Sequence, residues 1–180
     1  MPDPGATALT AAEFTPDQTG RFMSDMTGGV EDPFDMRLLP EGTLQWRVKA
    51  RYVALMDGER MAARAGILPV PVSVGENHFD VVGFGGVLVA FDRRGQGLAR
   101  AVMAEATRVA RSLGPALGLL WCFENRAGLY STLGWHRVEH PVRVEQPTGP
   151  HTMSQVAMWT PLHPGAALPD GPVDVHSLPF

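Results

Sequence analysis

The chain has 180 residues, of which 44% are hydrophobic and 19% charged, with a formal net charge of −4 and an isoelectric point near 5.8. That composition excludes a disordered chain, and the length suffices for one domain with a real core. The mild acidity excludes the basic footprint of a nucleic-acid binder; it is compatible with a cationic acceptor but is explained as well by a solvated acidic surface.

Residues 1–13 are weakly patterned and are predicted to fray. They lack the basic start and apolar stretch of a signal peptide, and no segment approaches the ~20 apolar residues of a membrane helix, so a cytoplasmic protein is expected. Thr15-Pro16-Asp17-Gln18 carries a capping box with proline at the first helical position, predicting a helix to about Met26 that stops at Gly28-Gly29. The next stretch, residues 31–43, has too much proline and glycine for more than a short helical turn. Arg51–Met56 reads as a strand, Asp57-Gly58 as a hairpin turn, and Arg60 onward as a second strand. Pro69 and Pro71 predict an edge or a bulge at its far end. After a turn at Gly75-Glu76-Asn77, a third strand covers Val81–Val89 and contains Gly83, Gly85 and Gly86.

Leu98, Val102, Ala106, Val109 and Leu113 recur at helical spacing, with Arg100, Arg108 and Arg111 on another face and Gly114-Pro115 as the stop. Leu117–Phe123 is a short apolar strand holding Cys122, the sole cysteine, which reads as a buried, inert thiol. Asn125 is placed to cap a brief helix through Leu133, ended by Gly134. Trp135–Val144 and Ser154–Thr160 are predicted strands around the turn at residues 146–150. A proline-rich tail closes on the alternating run Val173-Asp174-Val175-His176, expected to dock as a terminal strand. The chain therefore reads as one mixed α/β domain over residues 1–180 with a central sheet.

The chemically informative stretch is residues 87–99, where a strand, a turn holding Gly95 and Gly97, and a helix start follow one another. Glycines there let a ligand approach main-chain N–H groups that have no intrahelical partner, and a pyrophosphate suits that site. Arg93 and Arg94 stand beside it. A Walker loop is absent, and Arg100 occupies the place of the third glycine of a dinucleotide fingerprint.

Arg94-x-x-Gly97-x-Ala99 resembles the Gln/Arg-x-x-Gly-x-Gly/Ala signature of the GNAT superfamily of N-acetyltransferases, and Val87-Leu88-Val89 resembles its coenzyme-lining strand. Residues 125–135, NRAGLYSTLGW, resemble the family's Asn-to-Tyr helix. Motif-level resemblance covers about residues 81–137, and element order extends it from about 51 to 160. Within the superfamily, the spacing at 89–97, LeuTyrSerThrLeuGlyTrp at 129–135, residues 147–150 and the tail resemble the aminoglycoside 2'-N-acetyltransferases. The resemblance implies a mixed, mostly antiparallel sheet splayed between two strands and flanked by helices. It implies acetyl-CoA as acyl donor, no metal, and direct attack by a small-molecule amine, an aminoglycoside among the candidates.

By the same resemblance, Val87, Leu88 and Val89 line the pantetheine, while Arg94, Gly95, Gln96, Gly97, Leu98 and Ala99 cradle the pyrophosphate. Asn125 bonds the pantetheine arm, Tyr130 is the acid at the leaving thiolate, and the tail residues Asp174 and Phe180 border the acceptor. The strand glutamate that many members use as base is missing, since that region reads Gly83-Phe84-Gly85-Gly86; Asp80, Glu124, His136 and the carboxy-terminal acids are open alternatives. The six histidines lack the paired spacing of a metal site, and the four tryptophans read as core or pocket walls. Nucleic acid and membrane are not expected partners, and a homodimer is left open. A non-catalytic CoA-sensing module and an acetyltransferase for protein amino groups are the competing functions.

Overall fold

The computed structural model describes residues 9–28 and 44–180. The predicted segment 31–43 and residues 1–8 lie outside the described residues. In chain order the elements are β1 (Thr10–Phe14), α1 (Pro16–Gly20), α2 (Met23–Thr27), β2 (Arg51–Asp57), β3 (Arg60–Val74) and β4 (Asn77–Val89). They continue with α3 (Leu98–Arg111), β5 (Leu117–Cys122), α4 (Glu124–Ser131), β6 (His136–Arg137), β7 (Val142–Val144), β8 (His151–Thr152), β9 (Val156–Pro161) and β10 (Val173–Val175). All ten strands join one sheet in the order β6-β9-β5-β4-β3-β10-β7-β8, with β2 on the first half of β3 and β1 outside it. Pairing is antiparallel except between β4 and β5 and between β7 and β10.

The long hairpin β3–β4 is the spine, and its two prolines show how the chain tolerates them. The carbonyl of Pro71 accepts the N–H of His176, so residues 69 and 71 direct their backbones away from β4. There β2 has ended at its pairing of Arg51 with Ile67, and β10 begins at Val175 against Val72. The missing proline N–H groups fall at this change of partner, where they cost no ladder bond. The bulge lies elsewhere, between Arg64 and Gly66 of β3.

α3 packs Leu98, Val102, Met103, Ala106, Val109 and Ala110 on the face of the sheet carrying Val53, Ala63, Ala65, Val82 and Phe84. α1 and α2 help close a separate cluster in which Phe22 and Met26 meet Ala54, Met56 and Met61.

Four expectations need correction. The helix from Pro16 breaks into two: the capping box forms, but Gly20 is a weak helix residue and Phe22 turns in to meet Phe14 edge-on at 5.6 Å. Thr10–Phe14 does not fray, because β2 offers an open edge that pairs it in register. The strand expected over Trp135–Val144 is split into β6 and β7, with Pro141 just before β7. The helix expected to follow a cap at Asn125 starts two residues earlier, at Glu124, with Phe123 at its cap position.

Gly118 of β5 sits beneath the Phe84–Trp135 edge-to-face pair, whose centroids are 5.0 Å apart. A β-carbon there would stand 2.9 Å from Phe84 and 3.2 Å from Trp135, both buried. Gly118→Ala should therefore cost about 1–3 kcal/mol of overpacking in urea unfolding. An unchanged midpoint would show that the ring pair can yield.

Candidate active site

The parallel ladder between β4 and β5 holds for only three pairs, Val82↔Gly118, Gly83↔Leu119 and Phe84↔Leu120. Beyond them each strand keeps its outer partner: Leu88 and Val89 of β4 pair with Arg64 and Ala63, while Trp121 and Cys122 of β5 pair with β9. The inner edges face each other unpaired, and a cleft of about 970 Å³ opens in the fork. A bulge marks its apex. Arg64↔Leu88 follows Gly66↔Gly85, so three steps on β4 oppose two on β3, and the glycine that absorbs the extra residue, Gly86, has φ +58°.

At the far end of the fork the chain turns into α3. Gly95 and Gly97 have φ +79° and +78°, and Gly97 takes the cap position with no side chain bonded to the first-turn N–H groups. No acid lies in that first turn, so the unpaired amides and the helix dipole leave a positive site. Ion pairs fix the loop from behind: Arg93 reaches Asp57 at 2.6 Å, and Arg60 grips both carboxylate oxygens of Asp92 at 2.7 and 2.8 Å. Those bonds hold the Asp92 carboxyl below the usual carboxylate range. Arg93 is thus occupied in holding the loop, whereas Arg94 lines the cleft, its guanidinium over the Phe91 ring.

From the opposite wall α4 brings Tyr130 into the cleft. Its ring lies against Trp135, it is 9% exposed, and its hydroxyl has no hydrogen-bond partner among the described residues. Burial, with the neighbouring Cys122 adding to it, pushes the phenol up to about 12. Trp46, Lys49, Trp121 and Phe180 line the apex end. Lys49 is buried, and burial followed by the charges of Arg47 and Arg64 pulls its amine down to about 8. Among the described residues, no Asp or Glu lines the cleft.

A family model described as an acetyltransferase (GNAT) domain matches residues 30–138, more than half of the chain. The chain belongs to the GNAT acetyltransferases. A GNAT N-acetyltransferase of Escherichia coli, YhbS, solved with CoA, superposes with a TM-score of 0.62 at 20% identity over 98% of this chain and 93% of its own. A GNAT acetyltransferase of Brucella melitensis, solved with acetyl-CoA, gives 0.57 at 14% identity over 95% and 97%. The ribosomal-protein-S18-alanine N-acetyltransferase of E. coli gives 0.55 at 15% identity over 89% and 99%. A search of curated proteins by sequence gives no match.

Within this GNAT fold the residues expected at the site divide in two. Val87, Leu88, Val89, Arg94, Gly95, Gly97, Leu98 and Ala99 line the cleft, as do Tyr130 and Phe180. Three do not. Gln96 turns its amide to Arg93 and the Asp92 carbonyl. Asn125 neither caps α4 nor reaches the cleft, because the earlier helix start rotates it outward into solvent. Asp174 is bound by Arg143 through both oxygens, at 2.6 and 2.7 Å, away from the fork. Asp170, another acid of the tail, bonds His140 at 2.8 Å and is exposed. Trp46 and Trp121, expected as core or pocket walls, line the cleft, whereas Lys49 is not among the expected site residues. For Lys49 a signal existed, since it is the only lysine in a chain with fourteen arginines. No group of His, Cys, Asp and Glu suited to a metal ion occurs among the described residues, and no described helix is long and apolar enough to cross a membrane.

Cys122 lines the cleft wall but is 7% exposed, and burial pushes its thiol up to about 11. At pH 8 it should react with a disulfide reagent at least tenfold more slowly in the native protein than in urea. Equal rates would mean that the cleft wall opens readily.

Proposed function

We propose that this GNAT protein transfers the acetyl group of acetyl-CoA to the amine of a small molecule by direct attack on the thioester. The observation that carries the reading is the continuity of one cleft, from the left-handed glycines at the start of α3 to the glycines at the fork apex. The residues fit the donor at both ends. The open amides of α3, with Arg94 beside them, suit a pyrophosphate, and nothing lies within 4 Å of the position a β-carbon would take on Gly95 or Gly97. Along β4, the unpaired inner edge from Gly85 to Val89 offers main-chain groups to an extended pantetheine as a neighbouring strand would.

Tyr130 is assigned to the leaving sulfur. A phenol near 12 stays protonated at neutral pH and is always able to donate. Full proton transfer to a thiolate of pKa about 8.5 would be uphill by about 5 kcal/mol, so the hydroxyl acts by donating a hydrogen bond to the sulfur as charge develops there. The finer aminoglycoside reading has less support. A polycation needs carboxylates to recognise it, and no acidic side chain among the described residues lines the cleft. A small amine with few charges suits it better.

Thiol release from acetyl-CoA, measured across a panel of small amines, tests the reading. CoA binding with no amine-dependent release would support a sensing module instead. Gly97→Val should weaken CoA binding at least tenfold by calorimetry while the protein stays folded, because a β-branched residue cannot hold φ +78° and would project into the phosphate site. Unchanged affinity would remove the pyrophosphate assignment. Tyr130→Phe should lower kcat about 10²-fold and leave CoA affinity nearly intact. Full turnover in that variant would make Tyr130 a packing residue.

A further inference from the structure

The apex of the fork is built from glycine where a side chain would otherwise stand. A β-carbon on Gly85, the first β4 residue past the parallel ladder, would lie 2.7 Å from Cε and 3.1 Å from Nζ of Lys49. Lys49 enters from the segment before β2, lays its stem against Gly66 of β3, and presents its amine over Gly85 into the cleft. The position left empty by β4 is filled from the segment before β2.

The apex is also where the acyl group belongs. From Val89, next to the phosphate loop, back to Gly85 is four strand residues, about 13 Å. A pantetheine running along that edge from the pyrophosphate carries its thioester toward Gly85. The chain has fourteen arginines and one lysine, and the lysine is the one at this point. Among these basic side chains only Lys49 can exist neutral, because a guanidinium does not deprotonate in proteins.

Resting on the transferase reading above, we propose that Lys49 is the general base that accepts the proton of the acceptor amine. The amine nitrogen bonds the acyl carbon while the carbon–sulfur bond breaks and the sulfur leaves with its electron pair. One N–H proton passes to Nζ of Lys49, which holds it as an ammonium and returns it to water. The thiolate, hydrogen-bonded by Tyr130, takes its own proton from solvent.

The surroundings favour the neutral amine. The charged and titratable groups facing it are Arg47 on its own segment, Arg64 on β3, Tyr52 on β2 and the main-chain carboxyl of Phe180 in the segment after β10, whose negative charge opposes the two arginines; β4 presents glycine. Among the described residues its side chain has no hydrogen-bond or ion-pair partner. With the amine at about 8, about a quarter of it is neutral at pH 7.5, against about one part in 800 for an ordinary lysine. The active form gains as pH rises through about 8.

Two measurements test this on the full chain. In the first, trace labelling with acetic anhydride is read on the Lys49 peptide by mass spectrometry, where no second lysine confuses the signal. A labelling midpoint near pH 8 is expected, with labelling slowed at least fivefold by saturating CoA; an ordinary lysine midpoint, or no effect of CoA, overturns the proposal. In the second, Lys49→Met, Lys49→Gln and Lys49→Arg are compared with the unsubstituted protein on the fastest amine of the panel. All three should bind CoA within twofold and lose about 10²-fold in kcat/KM, together with the rising limb near pH 8. The acceptor's own ionisation persists in every variant, so only the Lys49 limb disappears. Recovery of activity in Lys49→Arg would make the residue an anchor for an acceptor anion and overturn the base role, as would an unaltered pH profile in Lys49→Met. No turnover with any amine would overturn the transferase reading and the base with it, while amine turnover unaffected by these substitutions overturns the base alone.

Discussion

Three residue pairs of parallel strand, Val82–Phe84 against Gly118–Leu120, set the conditions for everything else in this molecule. They are short because β4 carries an extra residue at Gly86, and a strand with a bulge bends away from the partner it was following. The separation does not cost each strand its own support. β4 stays bonded to β3 and β5 stays bonded to β9, so the backbone groups freed by the fork are only those on its inner edges. Buried main-chain groups need partners, and the fork leaves these open toward a cleft while the strands behind them, β3 and β9, hold them in place.

The glycine loop is held by a different kind of interaction. Gly95 and Gly97 allow the turn but cannot fix it, since glycine is the residue with the most freedom to lose. Rigidity comes from Arg93–Asp57 and Arg60–Asp92, which tie the loop to the ends of β2 and β3. Each pair is partly exposed, so its direct contribution to stability is modest. Their role is to place the loop, so that the amides of α3 meet the end of β4 in one geometry.

At the opposite end, packing decides the chemistry. Gly66, Gly85 and Gly83 leave room that Lys49, Tyr52 and the Phe180 ring occupy. The resulting wall is aromatic and basic, drawn from the segment before β2 and the segment after β10, and it encloses an amine with no carboxylate side chain lining the cleft among the described residues. Tyr130 faces the same cleft from α4. Two groups of opposite proton habit, a phenol pushed up and an amine pulled down, therefore share one cavity.

Legible along the chain are the parts of this protein that depend on sequence neighbours. The amphipathic period of α3, the apolar run of β5, the Asp57-Gly58 hairpin and the loop from Arg94 to Ala99 are local patterns, and local sterics and hydrogen bonding suffice to read them. Tyr130 was singled out by resemblance to the family, and the fold brings it to the cleft. Tertiary structure decided what depends on contacts between distant segments. Thr10–Phe14 becomes a strand only because β2 offers it an edge, and Asp174 is withdrawn from the cleft only because β7 sets Arg143 beside it. Lys49 is the clearest case. Its sequence neighbours, Val48 and Ala50, say nothing about a site, yet it lies over Gly85, thirty-six positions away, because that glycine and Gly66 leave space for a side chain neither of them has. A single lysine among arginines is visible in the composition, but its burial, and hence its chemistry, exists only once the strands are paired.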